Sequence, residues 1–371
     1  MARITTKTEI DRFSKEYDER VANLPKKGKL GYTCTYLPIE ILEAAGLTPI
    51  RITPEPISEK ADAFLDPNFC PYVRACLGKA MAGGYNHLDG IILTNTCDGM
   101  RRLFDAWAYY APTPFIFFLD VPRKTDQQSV RYFQRQLEHL ADKLEEHFKV
   151  DLSKEALIHA IEEANRTRKL YATLISQWTS GVGFLSYSEV LDIFQKEYEV
   201  PREVFNCILQ EALEAAGSGS QRGHSGAPVF ITGSILDGDS IINLVEEVGG
   251  RIAGVDCCLA ERKVQQVPLE GTPIQALSRS YLNKLPCARM METERRISYL
   301  VSRMEETEAK GLIYVALKFC DPYLYEFPYL KEELEARGIP VLFLEAEYRG
   351  RPGGGMRTRV QAFMEMLQRR G

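Results

Sequence analysis

The chain has 371 residues, of which 45% are hydrophobic and 26% are charged, and its formal net charge is -5. This length allows two domains with separate cores, while the acidic balance argues against a broad nucleic-acid-binding surface. No apolar run approaches the roughly 20 residues of a membrane-spanning helix, and the charged start lacks the apolar stretch of a signal peptide, so we expect a cytoplasmic protein.

The first half of the sequence alternates between strand and helix patterns. Apolar, β-rich runs predict four strands, at residues 30–33, 48–52, 90–93 and 114–119. Helical patterns lie between them and begin near Pro38, Asn68 and Gly99. Such alternation is typical of a parallel sheet covered by helices.

Strand patterns then disappear between residues 126 and 216. Residues 129–148 and 153–178 have apolar side chains at helical spacing and predict two long amphipathic helices. The run GSGSQRGHSG at 217–226 has the composition of a flexible linker or loop.

The second half resumes the alternation. Four strands are predicted at residues 229–232, 251–256, 312–317 and 340–345, with helices near Asp239, Glu292, Pro328 and Met356. The segments IILTNTCDG (91–99) and YVALKFCDP (314–322) both run from a buried strand into a Cys-Asp turn. This similarity predicts a duplicated unit.

The predicted fold class is therefore α/β, with two similar parallel-sheet domains of flavodoxin or Rossmann type. The predicted segments are an N-terminal helical segment, a first α/β domain, a helical segment with its linker, and a second α/β domain, at residues 1–27, 28–125, 126–225 and 226–371. The helical stretch could instead form a third small domain.

The chain contains nine cysteines. Because a reducing compartment disfavours structural disulfides, these cysteines need another explanation. Cys34, Cys97, Cys258 and Cys320 follow predicted strands, two in each half. Ligands of open parallel sheets bind outside the carboxyl ends of the strands. The four thiols could therefore meet in one cleft between the domains, where a soft metal or an iron–sulfur cluster would bind. Buried structural cysteines are the alternative for any one of them.

The remaining cysteines receive different interpretations. Cys70 opens a helix, where a thiolate gains from the helix N-terminus, and Cys287 lies in a loop. Cys76 and Cys207 are predicted to be core residues. Strand alternation points Cys257 and Cys258 to opposite faces, and which of the two is a ligand stays open. Zinc is the rival metal, but the close cysteine pairs typical of structural zinc sites are missing.

Two aspartates directly follow candidate ligands. Asp98 comes after Cys97, and Asp321 comes after Cys320. We predict that they cap the helices that follow, with proton delivery as the alternative role. No catalytic residue is assigned.

At these residues the sequence resembles the 2-hydroxyacyl-CoA dehydratase and benzoyl-CoA reductase superfamily over nearly its whole length. The resemblance rests on YLPIEILEAAGLTPIRI (36–52), NFCP (68–71), DGIILTNTCDGMRRLFD (89–105), ITGSILDGDSIINLVEEVGG (231–250), LKFCDPYLYEFPYLKEEL (317–334) and RTRVQAFMEML (357–367). It implies a cubane [4Fe-4S] cluster on three cysteines, which match Cys70, Cys97 and Cys320.

Three further cysteines resemble those of a narrower branch, the double-cubane cluster proteins. They are Cys34 in GYTCTYLP, Cys258 in GVDCCLAER and Cys287 in LPCARM. The resemblance implies that six cysteines hold two cubanes joined by a sulfide, an [8Fe-9S] cluster. It also implies a homodimeric, anaerobic oxidoreductase component that receives electrons from a separate ATP-hydrolysing iron–sulfur activator and reduces small molecules.

The sequence itself agrees with a separate source of ATP hydrolysis. It contains no G-x4-G-K-[ST] motif, and no G-x-G-x-x-G follows a predicted strand. Two alternatives stay open. The chain could be one subunit of a 2-hydroxyacyl-CoA dehydratase, a lyase with a single [4Fe-4S] cluster, or a protein that only stores electrons or clusters.

Overall fold

The computed structural model describes residues 28–55, 59–179, 190, 193–194, 196–197, 200–216, 226–236, 240–259 and 261–370. The predicted N-terminal segment, 1–27, and nearly all of the predicted linker, 217–226, lie outside these ranges. Within them, no helix is both long and apolar enough to cross a membrane.

The first sheet has four parallel strands in the order β2-β1-β3-β4. These are β1 (Lys29–Tyr32), β2 (Thr48–Arg51), β3 (Gly90–Thr94) and β4 (Phe115–Leu119). The accompanying helices are α1 (Glu40–Ala44), α2 (Pro71–Met81) and α3 (Asp98–Tyr110), with a 3-10 helix at Glu59–Ala63. Every residue of β3 is buried, as expected for a parallel strand covered on both faces.

Three long helices follow the first sheet. They are α4 (Gln127–Phe148), α5 (Lys154–Thr179) and α6 (Arg202–Ala216). Helix α5 packs against α1 and α6. Its Arg168 pairs with the fully buried Glu40 on α1, and the other carboxylate oxygen of Glu40 accepts a 2.8 Å hydrogen bond from the Tyr281 hydroxyl. One buried carboxylate thus connects the first half, the helical segment and the second half.

The second sheet repeats the topology of the first, in the order β6-β5-β7-β8, again all parallel. Its strands are β5 (Ala227–Gly233), β6 (Gly250–Asp256), β7 (Gly311–Leu317) and β8 (Val341–Ala346). Its helices are α7 (Ser240–Glu247), α8 (Pro273–Asn283), α9 (Thr293–Glu306), α10 (Asp321–Ala336) and α11 (Gly354–Arg370), with a 3-10 helix at Glu261–Lys263. Both orders match the flavodoxin-like arrangement, so the predicted α/β fold with two similar sheets is confirmed.

Two helix predictions need correction. The helix expected near Pro328 begins at Asp321 and contains Pro328 in its interior. Pro322 is the better marker of the start, because the fixed φ of proline suits the first turn of a helix. Helix α8 was not predicted at all. It opens with a capping box, in which the Thr272 hydroxyl accepts from the Gln275 backbone N–H and the Gln275 side chain accepts from the Thr272 backbone N–H.

We expect Thr272→Ala to lower the free energy of unfolding by about 1 kcal/mol, because the substitution leaves a first-turn N–H of α8 without its acceptor. Denaturant titration would measure the change. Thr358→Ala is the matched control, since the exposed Thr358 hydroxyl donates to the Gly354 carbonyl of its own helix and caps no N–H group. It should cost less than about 0.5 kcal/mol. Equal losses would mean that the cap contributes nothing of its own.

Candidate metal centre

Six cysteines line one cavity of about 190 Å³ between the two halves of the molecule. Four of them follow the carboxyl ends of β1, β3, β6 and β7, as predicted from the sequence. The full set is Cys34, Cys70, Cys97, Cys258, Cys287 and Cys320. All six are free thiols. The structure therefore brings together every cysteine that was predicted to be a ligand, while metal binding by them stays a prediction.

Cys70, Cys97 and Cys320 form one group, which we call the helix-end triad. Each is the N-cap residue of a helix, α2, α3 and α10 respectively. Their sulfurs therefore lie at the positive ends of three helix dipoles. Cys320 follows Phe319, whose φ of 57° is in the left-handed region. A left-handed backbone conformation costs free energy for a residue with a side chain as large as that of phenylalanine. It occurs here at the turn that leads from β7 to the cavity.

The thiols of the helix-end triad influence each other's ionisation. The Cys320 thiol donates a hydrogen bond to the Cys70 sulfur, which lowers the pKa of Cys70, helped by the backbone N–H groups of Tyr72 and Val73. The same bond raises the pKa of Cys320. Burial raises the pKa of Cys97 to about 11. The three thiols are thus close enough to act as one electrostatic unit.

Cys34, Cys258 and Cys287 form the second group, which we call the cation-side triad. They lie in loops that follow β1, β6 and α8. Burial raises the pKa of the Cys258 thiol, while Arg262 and Arg51 act in the opposite direction. The Cys34 sulfur accepts a 3.4 Å hydrogen bond from the Tyr36 backbone N–H. Each triad takes cysteines from both halves of the chain.

Three cations also line the cavity: Arg262, Lys284 and Arg289. Burial lowers the pKa of Lys284 to about 8, against the opposing effect of Cys34, Cys287 and Cys258. The Lys284 ammonium donates to the Thr35 carbonyl and lies 4.3 Å from the centre of the Tyr36 ring. The Arg289 guanidinium stacks over the same ring at 5.5 Å.

Several buried polar atoms in the cavity wall find no hydrogen-bond partner among the described residues. They are Thr33 Oγ1, Tyr36 Oη, Ser234 Oγ and Arg289 Nε. A buried donor without an acceptor is costly, and such atoms usually face a ligand or water. All four can donate a hydrogen bond. The cavity wall therefore suits a ligand that is rich in hydrogen-bond acceptors, such as an iron–sulfur cluster with its sulfides.

The geometry does not suit a single ion. In the described part of the chain, no three Cys, His, Asp or Glu side chains converge closely enough to hold one metal ion. A polynuclear cluster places less demand on convergence, because each thiolate binds a different iron. Six thiols, three cations and free donors around one cavity fit such a cluster.

The structure shows which of the two adjacent cysteines lines the cavity, while its role as a ligand stays a prediction. Cys257 is fully buried in the core, and burial raises its pKa to about 12, whereas Cys258 lines the cavity.

Cys76 is buried, as predicted. Cys207 is exposed, so its prediction as a core residue was wrong. The buried face of α6 carries Phe205, Ile208 and Leu209, and a residue two positions after Phe205 lies on the opposite side of a helix.

The helix caps also differ from the prediction. The N-cap positions of α3 and α10 are occupied by Cys97 and Cys320, and Asp98 and Asp321 are the first helical residues. A carboxylate there still favours the helix dipole. The Asp321 carboxylate adds to the effect of burial in raising the pKa of Cys97, and it opposes the overall lowering of the pKa of Cys70.

Sequence reasoning missed Tyr36, Lys284 and Arg289. A signal was present for two of them, because Lys284 and Arg289 flank Cys287 in the same loop. Their burial, at 7% and 3% exposed, could not be anticipated, since lysine and arginine are almost always exposed.

Comparisons of the sequence with known proteins identify a family and several relatives. Residues 34–367 match the family described as 2-hydroxyglutaryl-CoA dehydratase, D-component. The chain is 24% identical to the beta subunit of (R)-phenyllactyl-CoA dehydratase from Clostridium sporogenes, over 96% of this chain and 99% of that protein. It is 26% identical to one of the subunits of benzoyl-CoA reductase from Thauera aromatica, over 88% of this chain and 87% of that protein.

A third relative is the beta subunit of (R)-2-hydroxyglutaryl-CoA dehydratase from Acidaminococcus fermentans, 23% identical over 97% of this chain and 98% of that protein. The relatives are thus components of dehydratases and of a reductase, and the resemblance to their superfamily is confirmed. Because the family match spans nearly the whole sequence, the chain belongs to the 2-hydroxyglutaryl-CoA dehydratase, D-component family.

Proposed function

We propose that this protein is the electron-accepting component of an ATP-dependent reductase and that its six cavity cysteines hold a double-cubane [8Fe-9S] cluster. The observation that carries the proposal is the arrangement of these cysteines as two triads around one cavity. Three thiolates suffice for one cubane with an open iron site, and a second triad gives a second cubane its ligands.

The residues around the cysteines support the same proposal. Six thiolates and a sulfide-rich cluster carry net negative charge, and Lys284 and Arg289 supply positive charge in the wall. The helix-end triad would gain from three helix N-termini. Thr33, Tyr36 and Ser234 could donate hydrogen bonds to cluster sulfides. When bound, the cluster would supply storage of low-potential electrons and their transfer to a small-molecule substrate.

The source of the electrons is proposed to be a separate protein. Since the sequence has no nucleotide-binding motif of the P-loop kind, ATP hydrolysis is assigned to a partner, an iron–sulfur activator that delivers one electron at a time. Two linked cubanes could hold more than one electron, which a multi-electron reduction requires. The chain is proposed to act as a homodimer.

A dehydratase subunit with one [4Fe-4S] cluster is the second candidate. The names of two of the three relatives above favour it, since they are dehydratase beta subunits. In that case Cys70, Cys97 and Cys320 would hold the cluster, and the cation-side triad would be structural. A dissimilar second subunit would then be expected.

Iron and acid-labile sulfide per chain, measured on anaerobically purified protein, test the proposal. We expect about eight irons per chain, because each cubane contains about four. ATP-dependent reduction of a small unsaturated or nitrogen-containing compound in the presence of the activator should then be assayed. About four irons would favour the dehydratase candidate, and zinc in place of iron would overturn both.

A further inference from the structure

Among the described residues, two of the cations beside the cation-side triad have no carboxylate partner. The Lys284 ammonium donates to the Thr35 carbonyl. Arg289 donates to the carbonyls of Val121 and Pro122 and to the sulfur of Met290. No ion pair involves either residue in the part of the chain that the structure describes, and both are more than nine-tenths buried. A buried cation without a counter-charge is costly, so each requires a negative group nearby.

The third cation of the cavity is already neutralised. Arg262 makes a bidentate pair with Asp256, which also binds Arg296, and Arg296 binds Glu326 in turn. Two cations and two anions make this buried network electrically neutral. Of the three cations that line the cavity, Lys284 and Arg289 are therefore the two that no carboxylate among the described residues neutralises.

The positive charge is distributed unequally between the two triads. The Lys284 ammonium donates to the carbonyl of Thr35, the residue next to Cys34, and Lys284 lies three residues before Cys287. Arg289 lies two residues after Cys287 and stacks on Tyr36. The helix-end triad has instead the carboxylate of Asp321, which directly follows Cys320 and lines the same cavity. One triad thus faces buried cations, and the other faces helix ends together with an anion.

We propose that Lys284 and Arg289 are the counter-ions of the cubane that the cation-side triad would hold. Because of these two cations, this cubane is the part of the cluster that retains the transferred electron. The inference rests on the proposed function. Each added electron makes the cluster more negative, and a nearby cation stabilises the reduced state more than the oxidised one. Because the site is buried, solvent and salt screen this effect little.

The test is a redox titration of the iron-loaded protein, followed by electron paramagnetic resonance. Lys284→Met removes the charge but keeps a side chain of similar length. We expect it to shift the ratio of reduced to oxidised cluster at a given potential at least tenfold toward the oxidised form, which is about 59 mV for one electron. Arg289→Met should act in the same direction, and Lys284→Arg should restore the original potential.

Lys318→Met is the matched control. Lys318 is two residues from Cys320, but it is exposed and paired with Glu347 at 2.7 Å. Solvent screens its charge, so the midpoint potential should change far less than in Lys284→Met. An equal shift in both variants would overturn the assignment of a special role to the buried cations.

Variants that retain only one complete triad show which of the two cubanes Lys284 acts on. In Cys70→Ala/Cys97→Ala protein, only the cation-side triad remains complete, and Lys284→Met should lower the midpoint potential. In Cys34→Ala/Cys287→Ala protein, it should leave the potential unchanged. If Lys284→Met shifts the midpoint potential equally in both backgrounds, or does not shift it in fully loaded protein, the inference is overturned. Either result leaves the proposed function intact. A wild-type protein with about four irons would instead refute the proposed function itself. If Lys284→Met does not fold, Arg289→Met and Lys284→Gln provide the same test.

Discussion

Replacing Cys34 or Cys287 with alanine is expected to lower the iron content from about eight to about four per chain. Each substitution removes one of three thiolates from the cation-side triad, and two thiolates are too few to hold a cubane that has no other protein ligand. ATP-dependent substrate reduction should fall to background, because the remaining half-cluster has lost its neighbour. Iron and sulfide analysis together with the activity assay measure both effects.

Cys207→Ala is the control for these variants. Cys207 is an exposed thiol on α6 and does not line the cavity, so iron content and activity should equal those of the wild type. If Cys34→Ala and Cys287→Ala also retain wild-type iron and activity, the six-ligand assignment is wrong. Alanine is preferable to serine here, because a serine oxygen could still coordinate iron.

Arg296→Met is expected to destabilise the fold by about 3–5 kcal/mol, the usual cost of removing one partner from a buried ion pair. Arg296 is fully buried and bonds Asp256 at 2.6 Å and Glu326 at 3.1 Å. Among the described residues, the substitution leaves Glu326 with the Tyr314 hydroxyl as its remaining hydrogen-bond partner. Denaturant unfolding followed by circular dichroism would measure the loss.

Arg279→Met provides the comparison, because the Arg279–Glu270 pair is exposed to solvent. Exposed pairs contribute about 1 kcal/mol or less. The double variant Arg296→Met/Glu326→Gln should lose less than the sum of the two single changes, because the second substitution removes the stranded charge. A loss for Arg296→Met no larger than that for Arg279→Met would contradict the structural role assigned to the network.

The architecture was largely predictable, because buried parallel strands are almost continuous apolar runs. All eight predicted strands are present, within about two residues of their expected ends. The convergence of the cysteines was also predictable, since the carboxyl ends of parallel strands lie at one edge of a sheet. The repeated Cys-Asp turn identified the duplication.

Other features depend on tertiary packing that sequence patterns do not contain. The sequence could not show which of Cys257 and Cys258 faces the cavity. Residues on both faces of β6 are buried, so the alternation of side chains along the strand does not distinguish the two faces. The sequence places Lys284 and Arg289 beside Cys287, but it does not show that their side chains are buried. Cys207, by contrast, was predictable from the phase of the apolar residues on α6.

Each triad contains cysteines from both halves of the chain, two from the first and one from the second in the helix-end triad, and the reverse in the cation-side triad. Any group bound to a complete triad is therefore a covalent cross-link between two units that share no β-sheet. Its binding free energy adds to the stability of the docked arrangement, by thermodynamic linkage. Removal of such a group takes this contribution away, while buried contacts such as that between Glu40 and Tyr281 still join the two halves.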